Sequence, residues 1–264
     1  MKKSIYVVAM AALMIGVTGC GAVGSLMSKD SREVSEYYKA RYGETKKFEI
    51  EFDGFEDVDV EMPIGDVKLE EGDSYSLKCM FPEKLMPDYK VVDGTLKVTG
   101  KDSRGLYGDP ESRWSVTITV PKDADLNEVT IDCKMGNITV NDVSGKKLDI
   151  DTEMGDIIAS NFVSEHAVLS CSMGDTNISC VTFDTLDGVS KMGHVRVNYS
   201  TIADVNWNGS MGDVDLLGNF DKIRVSDSMG SIYVNCENDW KGTLCTSMGD
   251  VSVNGQSKGE SYEQ

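Results

Sequence analysis

The residues best placed to do chemistry are aspartates that each follow a glycine. They recur at one position of a repeated pattern: Asp156, Asp175, Asp213 and Asp250. The same position elsewhere holds Asn137, His194 and Ser231. Carboxylates about 5 Å apart on neighbouring strands repel each other unless a cation or hydrogen-bond donors compensate their charge. The four aspartates are therefore candidate calcium ligands, and the competing role is hydrogen bonding to turn backbone.

Other catalytic chemistry is poorly represented in the sequence. The only histidines are His166 and His194, which do not form a paired metal motif. No CxxC, phosphate loop or nucleophile elbow occurs. We therefore expect no catalytic residue and no cofactor. The enzyme alternative is a polysaccharide-active β-helix, but such an enzyme needs long projecting loops to build a cleft, and this repeat leaves little room for them.

The aspartates belong to an internal repeat that is marked by a Met-Gly dipeptide. Its seven copies are separated by 19, 19, 19, 19, 18 and 19 residues. The dipeptides are Met135 and Gly136, Met154 and Gly155, Met173 and Gly174, Met192 and Gly193, Met211 and Gly212, Met229 and Gly230, and Met248 and Gly249. A fixed period near twenty predicts one short unit stacked on itself as a solenoid.

Hydrophobic alternation indicates what each unit contains. Before Met154, the residues Leu148, Ile150 and Thr152 alternate with charged residues, which is typical of a strand with one buried face. Continuing the alternation points each methionine inward, as core packing, and this role is favoured over a soft-metal site, which needs accessible sulfur. The glycine turns the chain, and a second short strand follows. In this pattern the inward Asp227 is either a satisfied turn residue or a local distortion.

These observations predict an all-β fold. We expect a parallel β-solenoid with ~19-residue two-strand turns over residues 129–253, preceded by an irregular β-rich section at 46–128 that caps its N-terminal end. The loop at 101–112 is a candidate recognition loop. The polar tail at 254–264 looks too weakly apolar to cover the core, so residues 248–253 should form an open end suited to self-association.

The first residues predict an export and anchoring signal. Lys2 and Lys3 precede an apolar run at 5–17, which ends in the sequence VTGC at 17–20. This resembles a bacterial lipoprotein signal peptide covering residues 1–19, with Cys20 as the lipidated residue and 20–45 as a tether. The alternative is an ordinary cleaved signal. Lipidation would place the protein at the cell membrane, exposed outside the cytoplasm.

Composition agrees with an envelope-exposed protein. The formal net charge is −18, which argues against nucleic acid as a partner. Six cysteines follow Cys20, and we expect most of them to act as small buried apolar residues. Cys133 and Cys171 occupy one column two turns apart, about 9 to 10 Å, which is beyond the reach of a disulfide.

The sequences VTITVP at 116–121 and LNEVTI at 126–131, with the repeated Gly-Asp or Gly-Asn corners, resemble the bacterial putative-adhesin domain of unknown function. The resemblance extends from Phe48 to Val253. It implies a β-solenoid module of the envelope, often in lipoproteins and in some members linked to envelope stress, and it supplies no catalytic residues.

The expected function is therefore that of a cell-surface lipoprotein acting as a non-catalytic, adhesin-like binding or structural module. The alternatives are the polysaccharide-active enzyme and a calcium-dependent adhesive rod. Expected partners are the membrane, through the N-terminal lipid, and an unidentified envelope protein, glycan or peptide, together with self-association.

Overall fold

A computed structural model describes residues 39–101 and 114–264. Cys20, the predicted signal, most of the tether and nearly all of the loop at 101–112 lie outside the described residues. Among the residues described, no helix is both long enough and apolar enough to cross a membrane. Within these two ranges, a helical turn at 39–42 is followed by 21 strands and one short 3-10 helix.

The N-terminal section contains seven strands. They are β1 (Thr45–Glu51), β2 (Asp57–Met62), β3 (Asp66–Gly72), β4 (Ser76–Pro82), β5 (Asp88–Val92), β6 (Thr95–Thr99) and β7 (Ser115–Pro121), with the 3-10 helix Glu83–Leu85 after β4. Alternating apolar residues in β2, β3, β6 and β7 are buried, as the period-2 pattern of their sequences requires.

The Met-Gly repeat forms the next twelve strands. They are β8 (Asp125–Met135), β9 (Ile138–Asn141), β10 (Ser144–Met154), β11 (Ile157–Ser160), β12 (Val163–Met173), β13 (Thr176–Ser179), β14 (Thr182–Met192), β15 (Val195–Gly209), β16 (Val214–Met229), β17 (Ile232–Cys236), β18 (Lys241–Met248) and β19 (Val251–Val253). A long strand that ends at methionine and a short strand after the glycine make up each turn, and β15 and β16 run from one turn into the next without a break.

Equivalent strands of successive turns pair in parallel, one repeat apart. Ile131 lies opposite Ile150, which in turn lies opposite Leu169. The prediction of a parallel β-solenoid with about seven two-strand turns is confirmed. Inward columns of these residues form a continuous core, in which Trp207 fills the space left by Gly188: a Cβ at position 188 would lie 2.0 Å from the indole.

The methionines do not belong to this core, so the prediction of an inward column is wrong. The six from Met154 to Met248 have exposed fractions of 38–62 %, and only Met135 packs against the core. The alternation ends before the corner: Thr152 is buried, Glu153 and Met154 are both exposed, and Ile157 is the next buried residue. The backbone has begun to turn at the methionine, so the rule for a straight strand no longer applies there.

One repeat has 18 residues where the others have 19, and the missing residue does not lie near the methionines. Asn198 pairs with Leu217 and Ser200 pairs with Gly218, so Tyr199 has no counterpart in the next turn. Tyr199 has a φ of 51° and is 76 % exposed. The shorter repeat therefore lacks the bulged residue that corresponds to Tyr199. The methionines of the following turns stay in register.

Two further turns precede the repeat, and they stack out of chain order. Gly65 forms a corner between β2 and β3, which pair in parallel with β8 and β9. On their other side, β2 and β3 pair in parallel with β6 and β7. The chain first forms the turn that contains β2 and β3, and β4 and β5 follow it. Strands β6 and β7 then form a second turn on the outer side of the first, and the repeat begins at β8 on its other side. Antiparallel β4 and β1 complete this end.

The C-terminal tail also forms strands, so the prediction of an open end is wrong. β20 (Gln256–Gly259) and β21 (Ser261–Glu263) pair antiparallel with β19 and β18. Asn254 and Gly255 have φ values of 49° and 75°, the left-handed pair of a tight hairpin. Tyr262 packs against Trp240 with ring centroids 6.0 Å apart. Polar residues can cover a strand edge because backbone amides and carbonyls make the pairing. The Asn-Gly dipeptide at 254–255 is the feature of the sequence that predicts this hairpin.

Candidate functional site

Each corner of the solenoid is built around a glycine that no other residue can replace without a clash. Gly174 has a φ of 144°, and a Cβ there would lie 2.1 Å from the carbonyl oxygen of Gly155. The amide of Gly155 also donates a 2.9 Å hydrogen bond to the carbonyl of Met173 in the next turn. The glycines therefore set how closely the turns approach, in addition to turning the chain.

The aspartate column binds backbone amides of the following turn. Oδ1 of Asp156 accepts a hydrogen bond from the amide of Asp175 at 2.8 Å, and Oδ1 of Asp175 accepts one from the amide of His194 at 2.8 Å. Oδ1 of Asp213 accepts one from the Ser231 amide at 2.8 Å. The sequence indicated hydrogen bonding within the same turn, whereas the observed bonds join consecutive turns and tie the corners together.

Where a turn has another residue in place of the aspartate, that residue accepts the equivalent hydrogen bond. The Asn137 Oδ1 accepts from the amide of Asp156 at 2.9 Å, and His194 Nδ1 accepts from the amide of Asp213 at 3.1 Å. Ser231 Oγ accepts from the amide of Asp250 at 3.3 Å. What the position requires is therefore an acceptor atom of suitable reach, and a negative charge is not essential.

Among the calcium candidates, Asp175 already accepts hydrogen bonds on both of its carboxylate oxygens. The amide of His194 holds the pKa of Asp175 below its usual value, and the guanidinium of Arg196, 3.0 Å from Oδ2, acts in the same direction. Within residues 39–101 and 114–264, no group of three or more His, Cys, Asp or Glu side chains converges in a way that could hold a metal ion. Asp156, Asp175 and Asp213 are positioned as hydrogen-bond acceptors for the amides of the following turns.

The methionines form an exposed column beside these corners. Met135, Met154, Met173 and Met192 lie opposite one another in consecutive turns. Met211, Met229 and Met248 continue the series through two further pairings. We call these seven residues the methionine column. Its accessibility is the feature of the corner that the sequence pattern failed to predict.

The long strands also present an acidic row on their outer surface. Glu61, Asp132 and Asp151 lie opposite one another in three consecutive turns. Partial burial raises the pKa of Asp132, and the neighbouring carboxylate of Asp151 raises it further. Beyond Asp151 the row continues with Ser170 and becomes neutral. This row is thus acidic near the N-terminal end of the stack and uncharged beyond Asp151.

The cysteines agree with the sequence interpretation. Four of the six described residues are buried and two are exposed, and all six are free thiols: Cys79, Cys133, Cys171 and Cys236 are buried, Cys180 and Cys245 exposed. Burial raises the pKa of Cys79 and Cys133 to about 12 and that of Cys171 to about 11. The thiols of Cys79, Cys133 and Cys171 are therefore protonated at neutral pH and unreactive.

A shallow depression of about 420 Å³ lies on the N-terminal cap. Its walls are Lys46, Lys47, Phe48, Glu83, Met86 and Tyr89. Lys46 pairs with Glu83 at 2.7 Å, and the ring of Phe48 lies 5.0 Å from that of Tyr89.

Comparison with known families decides the classification of this fold. The profile of the Toastrack DUF4097 family matches residues 49–234, which is 186 of the 264 residues. The chain belongs to this family. The Toastrack region thus includes the two turns that stack out of chain order and most of the Met-Gly repeat.

Solved structures resemble the Toastrack chain over most of its length. A crystal structure described as a putative adhesin from Parabacteroides merdae ATCC 43184 is 15 % identical, with 80 % of this chain and 96 % of that one covered and a TM-score of 0.50. One with the same description from Bacteroides fragilis NCTC 9343 is 14 % identical, with coverage of 80 % and 96 % and a TM-score of 0.48. At these identities the likeness shows the fold alone. Among curated proteins, none matches the sequence.

Proposed function

We propose that this Toastrack protein is a non-catalytic binding module of the cell envelope, held outside the cytoplasm by a lipid on Cys20. Its outward strand faces make contact with an envelope protein, glycan or peptide. The description of similar folds as adhesins agrees with this role, as does the link of the resembling family to envelope stress.

The register of the outward side chains carries the proposal. Equivalent residues of successive turns lie directly opposite one another. Outward side chains of the same kind therefore form rows on flat faces, as Glu61, Asp132 and Asp151 do. A flat face with rows of charge suits a broad partner surface, whereas a small substrate needs a concave site. Asp149 and Glu153 extend the charged area beside Asp151.

The predicted tether between Cys20 and the solenoid is long enough to hold the solenoid away from the membrane. Eighteen residues, 21–38, separate Cys20 from the first described residue, Lys39. Fully extended, they span at most about 60 Å. Lipidation at Cys20 would therefore allow the solenoid to contact partners at a distance from the bilayer.

Partner capture from envelope extracts tests the binding face. Replacing Asp149, Asp151 and Glu153 with serine should abolish capture of the partner that the wild-type protein retains. The matched control replaces Glu165, Asp184 and Asp221, which are exposed on another side of the turns, and changes the net charge by the same amount. Equal capture by the wild type and both variants would contradict the proposed face.

Two further measurements test the anchor and the calcium alternative. Cys20→Ala should release the protein from the membrane fraction, and mass spectrometry of the wild-type N-terminal peptide should show a lipid on Cys20. Calorimetric titration with calcium should show no saturable binding, because Asp156, Asp175 and Asp213 already accept backbone hydrogen bonds and no three carboxylates converge among the described residues. Saturable binding that the loss of Asp156 and Asp213 weakens would favour the calcium-dependent rod.

A further inference from the structure

We propose that the methionine column is a binding site for a soft monovalent cation, Cu(I) or its redox-inert analogue Ag(I). Such a site goes beyond the proposed binding function and does not depend on it. Thioether sulfur is a soft ligand that selects Cu(I) over calcium, magnesium and zinc. The only reason to prefer a packing role was the expectation of buried sulfur, and six of the seven side chains are 38–62 % exposed.

The corner does not need methionine for its own structure. Ile64 holds the equivalent position before Gly65, where the Gly65 amide donates to the Met135 carbonyl at 2.8 Å, as in the later corners. Ile64 is 7 % exposed, so a covered corner accepts a branched aliphatic residue. In all seven later corners, the residue at this position is methionine.

Variation within the repeat separates the methionine from its neighbours. The hydrogen-bonding position two residues further on accepts asparagine, histidine or serine, because any suitable acceptor serves there. The glycine is explained by close approach to the previous turn. Neither explanation covers an accessible thioether in six consecutive turns, whereas a shared ligand role does.

The spacing of the turns suits coordination by neighbouring methionines. Equivalent residues of paired strands lie about 4.8 Å apart. With metal–sulfur bonds of about 2.3 Å, two sulfurs that share an ion lie at most about 4.6 Å apart. The three flexible side-chain torsions of methionine adjust for such a small difference. Two methionines in consecutive turns, such as Met154 and Met173, can therefore contribute to one ion.

Charge near the column favours a cation. Asp156 and Asp175 lie two residues beyond Met154 and Met173, and the chain carries a net charge of −18. These carboxylates attract cations of every kind, since Coulomb attraction does not distinguish hard from soft ions. Selectivity for Cu(I) and Ag(I) comes from the sulfur ligands themselves.

Metal titration of the full mature chain tests the proposal. The background carries Cys180→Ser and Cys245→Ser, because exposed thiolates also bind Cu(I). Ag(I) is titrated calorimetrically, and Cu(I) is measured anaerobically against a chromophoric chelator. The test variant replaces Met154, Met192 and Met229 with leucine, which leaves no two methionines in consecutive turns. The control replaces Met80 and Met86, which lie outside the column and are partly exposed, with leucine.

The test variant should bind both ions on the order of a hundredfold more weakly, because joint coordination by neighbouring ligands is lost. The control should bind like the background, and methyl resonances of the column methionines alone should shift with Ag(I). Unchanged affinity in the test variant, or equal loss in the control, would overturn the proposal. So would loss of a captured apolar protein from the test variant without any change in Ag(I) binding, since the column would then be a protein-docking surface.

Discussion

His194 replaces a carboxylate in the corner column: its Nδ1 accepts the hydrogen bond from the amide of Asp213 at 3.1 Å. The acceptor nitrogen must carry a lone pair, so the ring proton lies on Nε2. An imidazolium has no acceptor and would lose this bond. Its Nδ1 would then face Oδ2 of Asp213, which is 3.7 Å away. The chain of corner hydrogen bonds thus depends on the neutral ring at this one turn.

Replacing His194 tests whether an acceptor is what the corner requires. We expect His194→Asn to change the free energy of unfolding by less than about 0.5 kcal/mol, because Asn137 already serves at the equivalent position. His194→Ala removes the acceptor and should cost about 1 kcal/mol. Urea unfolding measures both. An equal effect of the two substitutions would show that the ring acts through packing alone.

Aspartate substitutions at neighbouring positions distinguish the exposed methionine column from the core. Met173→Asp should reduce the free energy of unfolding by less than about 1 kcal/mol, since the side chain is exposed. Cys171→Asp places a carboxylate at a position that is 1 % exposed and should cost several kcal/mol. Thermal denaturation of both variants measures the difference, and similar losses would contradict the outward orientation of Met173.

Asp227 is a buried carboxylate that should make stability fall as pH rises. It is 3 % exposed, and neither oxygen makes a hydrogen bond. Burial raises its pKa, an effect that Asp213 reinforces. The folded state therefore binds a proton more tightly than the unfolded state, so this contribution is most favourable below the unfolded pKa of about 4 and is lost as pH rises through the higher folded value.

Serine at position 227 should remove this penalty. The carboxylate occupies space beside Gly209, where a Cβ would lie 2.3 Å from Oδ1, and the equivalent positions in other turns hold Ser190 and Thr246. We expect Asp227→Ser to raise the free energy of unfolding by about 1–3 kcal/mol at pH 7 and to have little effect near pH 3. Urea unfolding across this range provides the measurement. A gain that is independent of pH would mean that Asp227 has the same pKa in the folded and unfolded states, and would contradict the penalty from its burial.

The C-terminal hairpin should protect the end of the stack. Deleting residues 254–264 exposes the backbone of β18 and β19 and uncovers Trp240, which we expect to cause association and a lower melting temperature. Light scattering after size-exclusion chromatography measures the association. As a milder variant, Gly255→Val places a β-branched residue at a φ of 75°, whereas the control Gln256→Ala keeps the turn. A truncated chain that stays monomeric and equally stable would refute the capping role.

The sequence contained nearly all the information for the repeating part of the fold. Alternation around Leu148 and Ile150 and the 19-residue spacing are properties of short segments, and a strand that buries one face in each turn has few other ways to pack. The role of the corner acceptors was also accessible, because Asp, Asn and Ser share the capacity to accept an amide hydrogen bond.

The sequence by itself therefore determined the parallel solenoid, its period and its inward columns. Only the tertiary structure decided that Met154 and its equivalents face outward, that β2 and β3 stack between later strands, and that the tail covers β18 and β19. Each of these features depends on where the backbone bends or on pairing between segments distant in the chain. Residue alternation describes the faces of a straight strand, so it contains no information about either.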